Sequence, residues 1–556
     1  MNPLFALGSA MLWSDDELED GRPCPVEHLT EVGIALSSER DTARLLEKIV
    51  LGAKLLTGAD GGTLYVVRDG VLHMEIVRTD SLDYAMGGTT GRAVPFPAIP
   101  LVHENGKPNH QHVVSHTVLA NRTVNIPDAY TAEGFEFLGT REFDALTGYR
   151  SRSFLVIPMT NHDDEIIGVL QLLNAIDPNT GEVVPFSADA ERLAKTFASQ
   201  ASMTLTNRRL AGELRSLFDS LIQLIAVGID AKSPHTAGHC RRVPVITMMM
   251  ADAVHNTREG PFADYQLTDE KRYALEVAAW LHDCGKITTP EHLLNKSRKL
   301  ETVCDRIEIL EARFEILRRD LELNLLRQQL GRLRAGDSRP AGELEQRYLE
   351  ELEALDSEEA FLRICNRGNE SMSESARERI RQIARRTWVD HKGQTRPLLT
   401  PEEVDTLCVV RGTLTPGEKQ TVNAHVTATH SMLEGLQFPR ALRNVPEYAG
   451  GHHERVDGTG YPRGLRREEM SVEARMMAIA DIFEALSAQD RPYRSRKNLS
   501  ECLDILWTMS REGHIDPDLF DIFMREKVYL RYSREYLSTD QIDITEPLRH
   551  PDKLLD

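Results

Sequence analysis

The sequence predicts a multidomain chain made of an α+β domain, a connecting helix, and a second domain that carries an inserted helical hairpin. Three patterns support this order. Strand-like and helical runs alternate between residues 25 and 200, leucines at heptad spacing follow within residues 201–232, and a second heptad region lies at about residues 300–400. The length of 556 residues is enough for about three domains.

Composition limits the classes of function that the chain can have. With 41% apolar and 27% charged residues, it is globular rather than disordered or fibrous. The net charge of −20 argues against nucleic-acid binding through the general surface, so an anionic substrate needs a local positive centre. Seven scattered cysteines without a CxxC pair favour a reducing compartment. The N-terminus does not read as a secretion signal and no apolar run approaches about 20 residues, which predicts a cytoplasmic protein without a membrane span.

The first domain follows a loose tail at residues 1–24. Helical patterns cover residues 28–37 and 42–56. Strand patterns, separated by turn signals, then cover residues 62–67, 71–77, 153–158 and 166–173. This order of helices and strands predicts an α+β sensory domain over residues 25–200.

Four motifs in this domain carry a family resemblance: Ala59–Tyr65, Thr147–Arg150, Phe154–Pro158 and Ile167–Asn174. On these motifs the segment resembles a GAF domain. In the signature of the cyclic-nucleotide-binding members, Asn174, Phe186 and Glu191 match, whereas Ala175 replaces a Lys and Ala190 replaces an Asp. The resemblance therefore implies the GAF fold and leaves its ligand unknown. The alternative is a GAF domain that only dimerises or relays strain.

The connecting helix is predicted from an apolar seam with steps of four and three residues. Such a seam is typical of a coiled coil, and its position between two domains favours a parallel homodimer. The alternative is an amphipathic helix packed on its own chain. The seam consists of Leu210, Leu214, Leu217, Leu221 and Leu224.

A helical hairpin is predicted to project from the second domain. Residues rich in Gly, Arg, Ser and Pro between Gly331 and Gly342 interrupt the helical pattern, and the dense Glu and Arg around them are typical of a solvated face. The apolar positions before the break are Ile307, Leu310, Phe314, Leu317 and Leu321, and those after it are Leu349, Leu352 and Leu355.

The second domain also contains histidines and carboxylates in apolar surroundings. His235 and His239 are four residues apart and share one face if they are helical. Taken singly, each such residue is more often a hydrogen-bonded core residue or a local ion pair. Several ionisable groups buried together need a shared compensating charge, and bound metal cations are its simplest source. The other members are His282, Asp283, His425, His452, His453 and Asp481.

The motifs around these residues occur in a specific order across residues 231–516. The chain resembles the HD-GYP family, a subset of the HD phosphohydrolases, whose members are all-α and hydrolyse cyclic di-GMP to linear pGpG or to GMP. The motifs are His282–Lys286, Leu414–Glu418 with His425, His452–Pro462, Asp481, and Asp490–Arg494.

The resemblance implies an HD-GYP domain over residues 233–530, with a tail at 531–556, and assigns roles to its residues. Two divalent transition-metal ions are implied, iron or manganese as the usual metals of the family and zinc as an alternative. Asp283 and Lys286 are implied as catalytic residues, and Lys286, Tyr461 and Arg491 as substrate-binding residues. The first metal would be held by His239, His282, Asp283 and Asp481, and the second by His425, His452 and His453 with Asp283 bridging.

The chain departs from the family in three respects. His235 stands where some members have a Glu ligand for a third metal, Glu484 stands where an Asp is more usual, and the insert after Lys286 is long. Two alternatives to cyclic di-GMP hydrolysis therefore stay open at this point. One is a receptor that binds a cyclic dinucleotide without useful turnover, and the other is a hydrolase of another nucleotide, such as a mixed cyclic dinucleotide.

Overall fold

The computed structural model describes residues 25–39, 41–232, 238–336, 342–368, 371–488 and 497–544. The chain divides into two compact units, Met1–Ser216 and Leu217–Asp556. The predicted tail at residues 1–24 and two of the predicted site positions, His235 and Arg491, lie outside the described residues.

The first unit is built on one antiparallel sheet. Its central strand, β1, pairs with β2 on one side and with β7 on the other, in the order β3-β2-β1-β7-β6-β5, while β4 pairs with β2 and β8 with β7. The strands are β1 (Ala59–Arg68), β2 (Val71–Thr79), β3 (Tyr84–Gly87), β4 (Ile99–Pro100), β5 (Val124–Ile126), β6 (Phe154–Thr160), β7 (Ile166–Ile176) and β8 (Val183–Val184). The helices are α1 (Pro25–Ser38), α2 (Thr42–Thr57), α3 (Val113–Ala120), α4 (Leu138–Thr147) and the first part of α5 (Ala188–Lys232), whose residues from Leu217 onward belong to the second unit.

Both faces of this sheet are covered, which explains the long apolar strands. Leu45 and Ile49 of α2 and Phe197 of α5 share one buried cluster with strand residues. Gly52 of α2 permits this packing, because a Cβ there would lie 2.9 Å from the Phe197 ring. A second cluster on the strands includes Val113 of α3. The α+β prediction and its four strands are confirmed.

Asn174, one of the matched signature residues, links β7 to the segment before β6 through hydrogen bonds of its side chain. Its backbone has a φ of 52°, and its side-chain Oδ1 accepts hydrogen bonds from the backbone N–H groups of Arg152 at 2.7 Å and Ser153 at 3.2 Å. Its Nδ2 donates to the Arg150 carbonyl at 2.9 Å. The polar atoms of Asn174 are thus used to join β7 to the segment before β6.

Helix α5 contains the predicted connecting segment as a continuous helix. The leucines of the heptad seam are all exposed, between 44% for Leu210 and 68% for Leu214. A helix of a monomer normally buries such a stripe, so this face is available for contact with another helix.

The second unit is mainly helical. Its central core joins α6, α7, α14 and α15, and α15 is buried along nearly its whole length. The helices are α6 (His239–Asn256), α7 (Asp269–Leu281), α8 (Glu291–Leu294), α9 (Ile307–Arg334), α10 (Gly342–Asn366), α11 (Glu374–Ile383), α12 (Pro401–Leu407), α13 (Pro416–Glu434), α14 (Val445–Gly450), α15 (Val472–Ser487), α16 (Leu499–Arg511), α17 (Pro517–Arg525) and α18 (Val528–Tyr536).

The inserted hairpin is confirmed as α9 and α10. It has a separate buried cluster that includes Leu310, Phe314, Leu355 and Leu362. The expectation of an all-α domain is wrong in one place, because the strands β9 (Thr387–Val389) and β10 (Thr395–Pro397) form a small antiparallel pair after α11. A turn at residues 390–394 joins them, held by hydrogen bonds to the Asp390 side chain.

The end of the described chain is ordered beyond the predicted start of the tail at 531. Helix α18 continues to Tyr536 and buries Tyr532, which is 1% exposed. Within the described ranges, no helix combines the length and the apolar character that crossing a membrane requires. The domain limits themselves stay predictions.

Candidate metal centre

Five segments of the second unit bring the predicted ligands to one buried place. His239 opens α6, His282 and Asp283 follow the end of α7, and His425 lies within α13. The pair after the short helix α14 contributes His452 and His453, and the middle of α15 contributes Asp481. Of these seven residues, six are no more than 7% exposed, and His453 is partly buried.

Three of the imidazoles are fixed by the backbone in the same way. In each, Nδ1 faces the carbonyl of the residue three positions earlier, at 2.8 Å for His282, 2.6 Å for His425 and 2.5 Å for His452. A carbonyl only accepts hydrogen bonds, so Nδ1 carries the proton and Nε2 keeps its lone pair. This tautomer is the one required of a metal ligand that binds through Nε2.

The first group of ligand atoms is formed by His239, His282 and Asp283, with Asp481 beside them. The His239 Nε2 lies 3.4 Å from Asp283 Oδ2 and 3.2 Å from Asp481 Oδ1. The His282 Nε2 lies 3.2 Å from the same Asp283 oxygen and 3.7 Å from Asp481 Oδ1. Two imidazoles and two carboxylates therefore face one another at separations that a shared cation would bridge.

The second group is formed by His425, His452 and His453, whose nearest ring nitrogens lie within 4.8 Å of one another. The Nε2 atoms of His425 and His452 are buried and make no hydrogen bond with any described residue. An unsatisfied buried nitrogen is costly, and two that face one place fit a metal ion that accepts both lone pairs.

Asp283 connects the two groups. Its Oδ2 faces His239 and His282, whereas its Oδ1 lies 3.3 Å from His425 Nε2. The ammonium group of Lys286, one turn further along the chain, forms an ion pair with the Asp283 carboxylate. This placement is the one expected of a carboxylate that bridges two cations.

The carboxylates of the centre stay ionised although they are buried. Burial raises the pKa of Asp283, but Lys286 and His282 outweigh that effect and hold it well below its usual range. Burial opposes the charge of Asp481 as well, yet hydrogen bonding with His239 lowers its pKa. Burial lowers the pKa of His453 to about 4 and that of His452 well below its usual value, which keeps both rings neutral. Ionised carboxylates and neutral imidazoles are the forms that ligate metals. His239 differs, because burial lowers its pKa but Glu484, Asp283 and Asp481 outweigh that effect and raise it well above the usual value, so it would lose a proton when a metal binds.

Glu484, to which the sequence pattern gave little weight, contacts a candidate metal ligand. It is fully buried and accepts a hydrogen bond from His239 Nδ1 through Oε2, while its Oε1 accepts one from Arg242 Nε at 2.6 Å. It thus fixes the fourth imidazole as backbone carbonyls fix the other three. Glu484 lies three residues after Asp481, so the two carboxylates share one face of α15. This spacing is visible in the sequence and could have identified Glu484 as a neighbour of the candidate site.

The loop after α14 forms one wall of a cavity beside the centre. The Tyr461 ring stacks on His453, with a centroid separation of 5.0 Å and an angle of 28° between the planes. The cavity has a volume of about 460 Å³ and is also lined by Asp481. The buried carboxylate of Glu454 shapes the loop by accepting hydrogen bonds from the backbone N–H groups of Arg463 at 2.7 Å and Leu465 at 2.9 Å.

Matches to models of known domain families identify the domains of this chain. A family model described as GAF domain matches residues 41–205, and two models described as HD domain match residues 236–367 and 396–519. The chain therefore carries a GAF domain followed by an HD-domain region, and the candidate metal residues lie in the matched HD segments.

Similarity to particular proteins is more distant. The chain is 27% identical over 204 residues to a dual 3′,5′-cyclic-AMP and -GMP phosphodiesterase 11A of Takifugu rubripes, a match that covers 37% of this chain and 21% of the relative. It is 26% identical over 181 residues to a dual 3′,5′-cyclic-AMP and -GMP phosphodiesterase 11 of Drosophila melanogaster, covering 32% and 11%. The matches thus span about a fifth or less of these relatives.

Among solved structures, the GAF domain of an Acinetobacter phosphoenolpyruvate-protein phosphotransferase is 16% identical, with 35% of this chain and 99% of that chain covered and a TM-score of 0.26. The free methionine-R-sulfoxide reductase of Neisseria meningitidis is also 16% identical, with 35% and 98% covered and a TM-score of 0.25.

Proposed function

We propose that this protein is a metal-dependent phosphodiesterase that hydrolyses cyclic di-GMP to linear pGpG or to GMP under the control of its GAF domain. The observation that carries the proposal is the arrangement of the His239, His282 and His425 imidazoles around Asp283, together with the buried Nε2 atoms of His425 and His452, which have no hydrogen-bond partner among the described residues. Such a donor set of imidazole and carboxylate suits iron, manganese or zinc.

The residues of the chain have separate roles in this proposal. When bound, two divalent cations would lower the pKa of water and neutralise the oxygens of a phosphodiester. Asp283 presents its two oxygens to His239, His282 and His425 and would hold both cations, while the buried surroundings limit the access of bulk water. Lys286 supplies a point charge next to Asp283 for the phosphate, and Tyr461 positions the substrate from the wall of the cavity. A role for Arg491 in substrate binding stays a prediction.

A second candidate is hydrolysis of a 3′,5′-cyclic mononucleotide. It is favoured by the named activity of the two curated relatives, which are dual cyclic-AMP and cyclic-GMP phosphodiesterases. The motif order around the GYP segment favours the dinucleotide, because it extends over the residues that form the candidate centre and the cavity wall.

A substrate panel distinguishes these activities. The full chain is purified anaerobically, its metal content is measured, and it is loaded with manganese or iron and incubated with cyclic di-GMP, a mixed cyclic GMP–AMP dinucleotide, cyclic AMP and cyclic GMP. We expect about two metal ions per chain and release of pGpG or GMP from cyclic di-GMP, abolished by a chelator. Products from the mononucleotides alone would support the second candidate. Binding of cyclic di-GMP without product would indicate a receptor.

We also propose that the exposed seam of α5 joins two copies of the chain, so that the GAF domain acts on a dimer. Leu221→Glu should weaken this dimer by more than about tenfold, because a carboxylate buried in an apolar contact costs several kcal/mol. Light scattering over a concentration series measures the change. Gln223→Glu introduces the same charge two residues away on the same helix and is the control. Equal effects of both variants, or a monomeric wild type, would contradict the proposal.

A further inference from the structure

The cavity beside the candidate metal centre has a second cationic region that the proposed reaction does not use. Lys419 from α13 and Arg455 from the loop after α14 both line it, together with Asp481 and His453 of the centre. One continuous space of about 460 Å³ is therefore open both to the metal ligands and to two further cations. This size lies within the usual range for small-molecule sites.

Neither Lys419 nor Arg455 forms an ion pair with any described residue, although the chain has a net charge of −20. Arg455 donates one long hydrogen bond, of 3.4 Å, to Thr459 Oγ1. The carboxylate near it, Asp457, is exposed and accepts hydrogen bonds from the Thr459 N–H at 2.8 Å and hydroxyl at 2.7 Å.

The remaining walls of the cavity do not supply the missing negative charge. Among the described residues that line it, the single carboxylate is Asp481, which faces His239 in the candidate metal centre. His514 is held neutral at pH 7, because burial and Arg455 lower its pKa to about 4. Ile482 and Leu486 provide an apolar surface, and Asn423 provides an amide. A cavity lined by two cations and by apolar side chains suits a ligand that carries both a phosphate and a flat base.

We propose that Lys419 and Arg455 form a subsite for the second phosphate of a cyclic dinucleotide while the first phosphate lies at the metal centre. The inference rests on the proposed phosphodiesterase function and names the substrate feature that this site selects. A cyclic dinucleotide has two phosphodiesters in one ring, so a substrate held at the centre must place its other phosphate nearby. A 3′,5′-cyclic mononucleotide has one phosphate and cannot use this subsite.

The test compares substrates with two phosphates and with one. The double variant Lys419→Gln/Arg455→Gln removes both charges. We expect the KM for cyclic di-GMP to rise by about tenfold or more, because losing a hydrogen bond to a charged group typically weakens binding by at least that factor. Hydrolysis of bis(4-nitrophenyl) phosphate, which has one phosphate, should fall far less. The Lys419→Arg single variant keeps the charge and should keep most of the affinity.

The control and the readout separate this inference from the proposed function. Lys392→Gln/Arg411→Gln removes two exposed cations that do not line the cavity, and should leave both substrates at wild-type values. Binding of the bis-phosphorothioate analogue of cyclic di-GMP is measured in parallel, so the subsite is tested even if the wild type has no turnover. Equal losses for one-phosphate and two-phosphate ligands, or unchanged binding of the analogue, would overturn the inference.

Discussion

Asp283→Asn should abolish turnover and remove bound metal while the helices stay folded. The substitution preserves size but replaces the carboxylate whose two oxygens face His239, His282 and His425. Loss of a residue that only hydrogen-bonds a metal ligand typically reduces metal affinity or activity by about 10–100-fold. Because Asp283 is a candidate ligand itself, we expect kcat to fall by more than about 100-fold. It also leaves Lys286 without its ion-pair partner, which should lower the free energy of unfolding by about 1–3 kcal/mol.

Three measurements on one sample check this expectation: metal per chain, kcat with cyclic di-GMP, and the far-ultraviolet circular dichroism spectrum. Asp356→Asn is the control, because its carboxylate is 60% exposed in an ion pair with Arg318 on the hairpin. It should retain the metal and activity of the wild type. Wild-type metal content and turnover in Asp283→Asn would refute the assignment of Asp283 as the bridging ligand.

The fold class could be predicted from the sequence because the spacing of apolar residues along a strand or helix shows which of its faces are buried. The strands β1, β2, β6 and β7 bury apolar side chains in a sheet covered on both faces, and their runs were visible without a structure. The hairpin followed from a heptad pattern broken by glycine and proline. The pair β9–β10 was missed because each strand has three residues, and a run this short shows no period.

The site was less accessible from the sequence, since its geometry depends on contacts between distant residues. The motifs named the ligand side chains, but the tautomers of His282, His425 and His452 are set by backbone carbonyls three residues earlier, which no residue type encodes. Lys419 lies outside the motifs, and Arg455 lies within the motif His452–Pro462 but was assigned no role by it; the structure adds that both line the cavity and form no ion pair with a described residue. Glu454 directly follows the ligand pair in the sequence, and the structure shows its carboxylate accepting hydrogen bonds from the backbone of the following loop.

Glu484→Gln should weaken metal binding through His239 rather than through any direct contact with a substrate. The Glu484 carboxylate accepts the His239 Nδ1–H and the Arg242 Nε–H, so it fixes the ring and makes its Nε2 a better ligand. Its ionised form is stable at neutral pH, because His239 and Arg242 outweigh the effect of burial and lower its pKa to about 2. Loss of such a partner typically reduces metal affinity by about 10–100-fold.

The matched control for this effect is Glu473→Gln on the same helix. Glu473 is also buried, at 4% exposed, but it contacts Tyr265 at 2.9 Å and Lys271 at 3.4 Å instead of a candidate ligand. Both substitutions remove one buried negative charge from α15, so both should lower the unfolding temperature. Only Glu484→Gln should raise the metal concentration needed for half-maximal activity, and Glu484→Asp, which keeps the charge, should recover part of the loss. Equal metal affinities in the Glu484→Gln and Glu473→Gln variants would show that Glu484 contributes to the core and has no role in positioning His239.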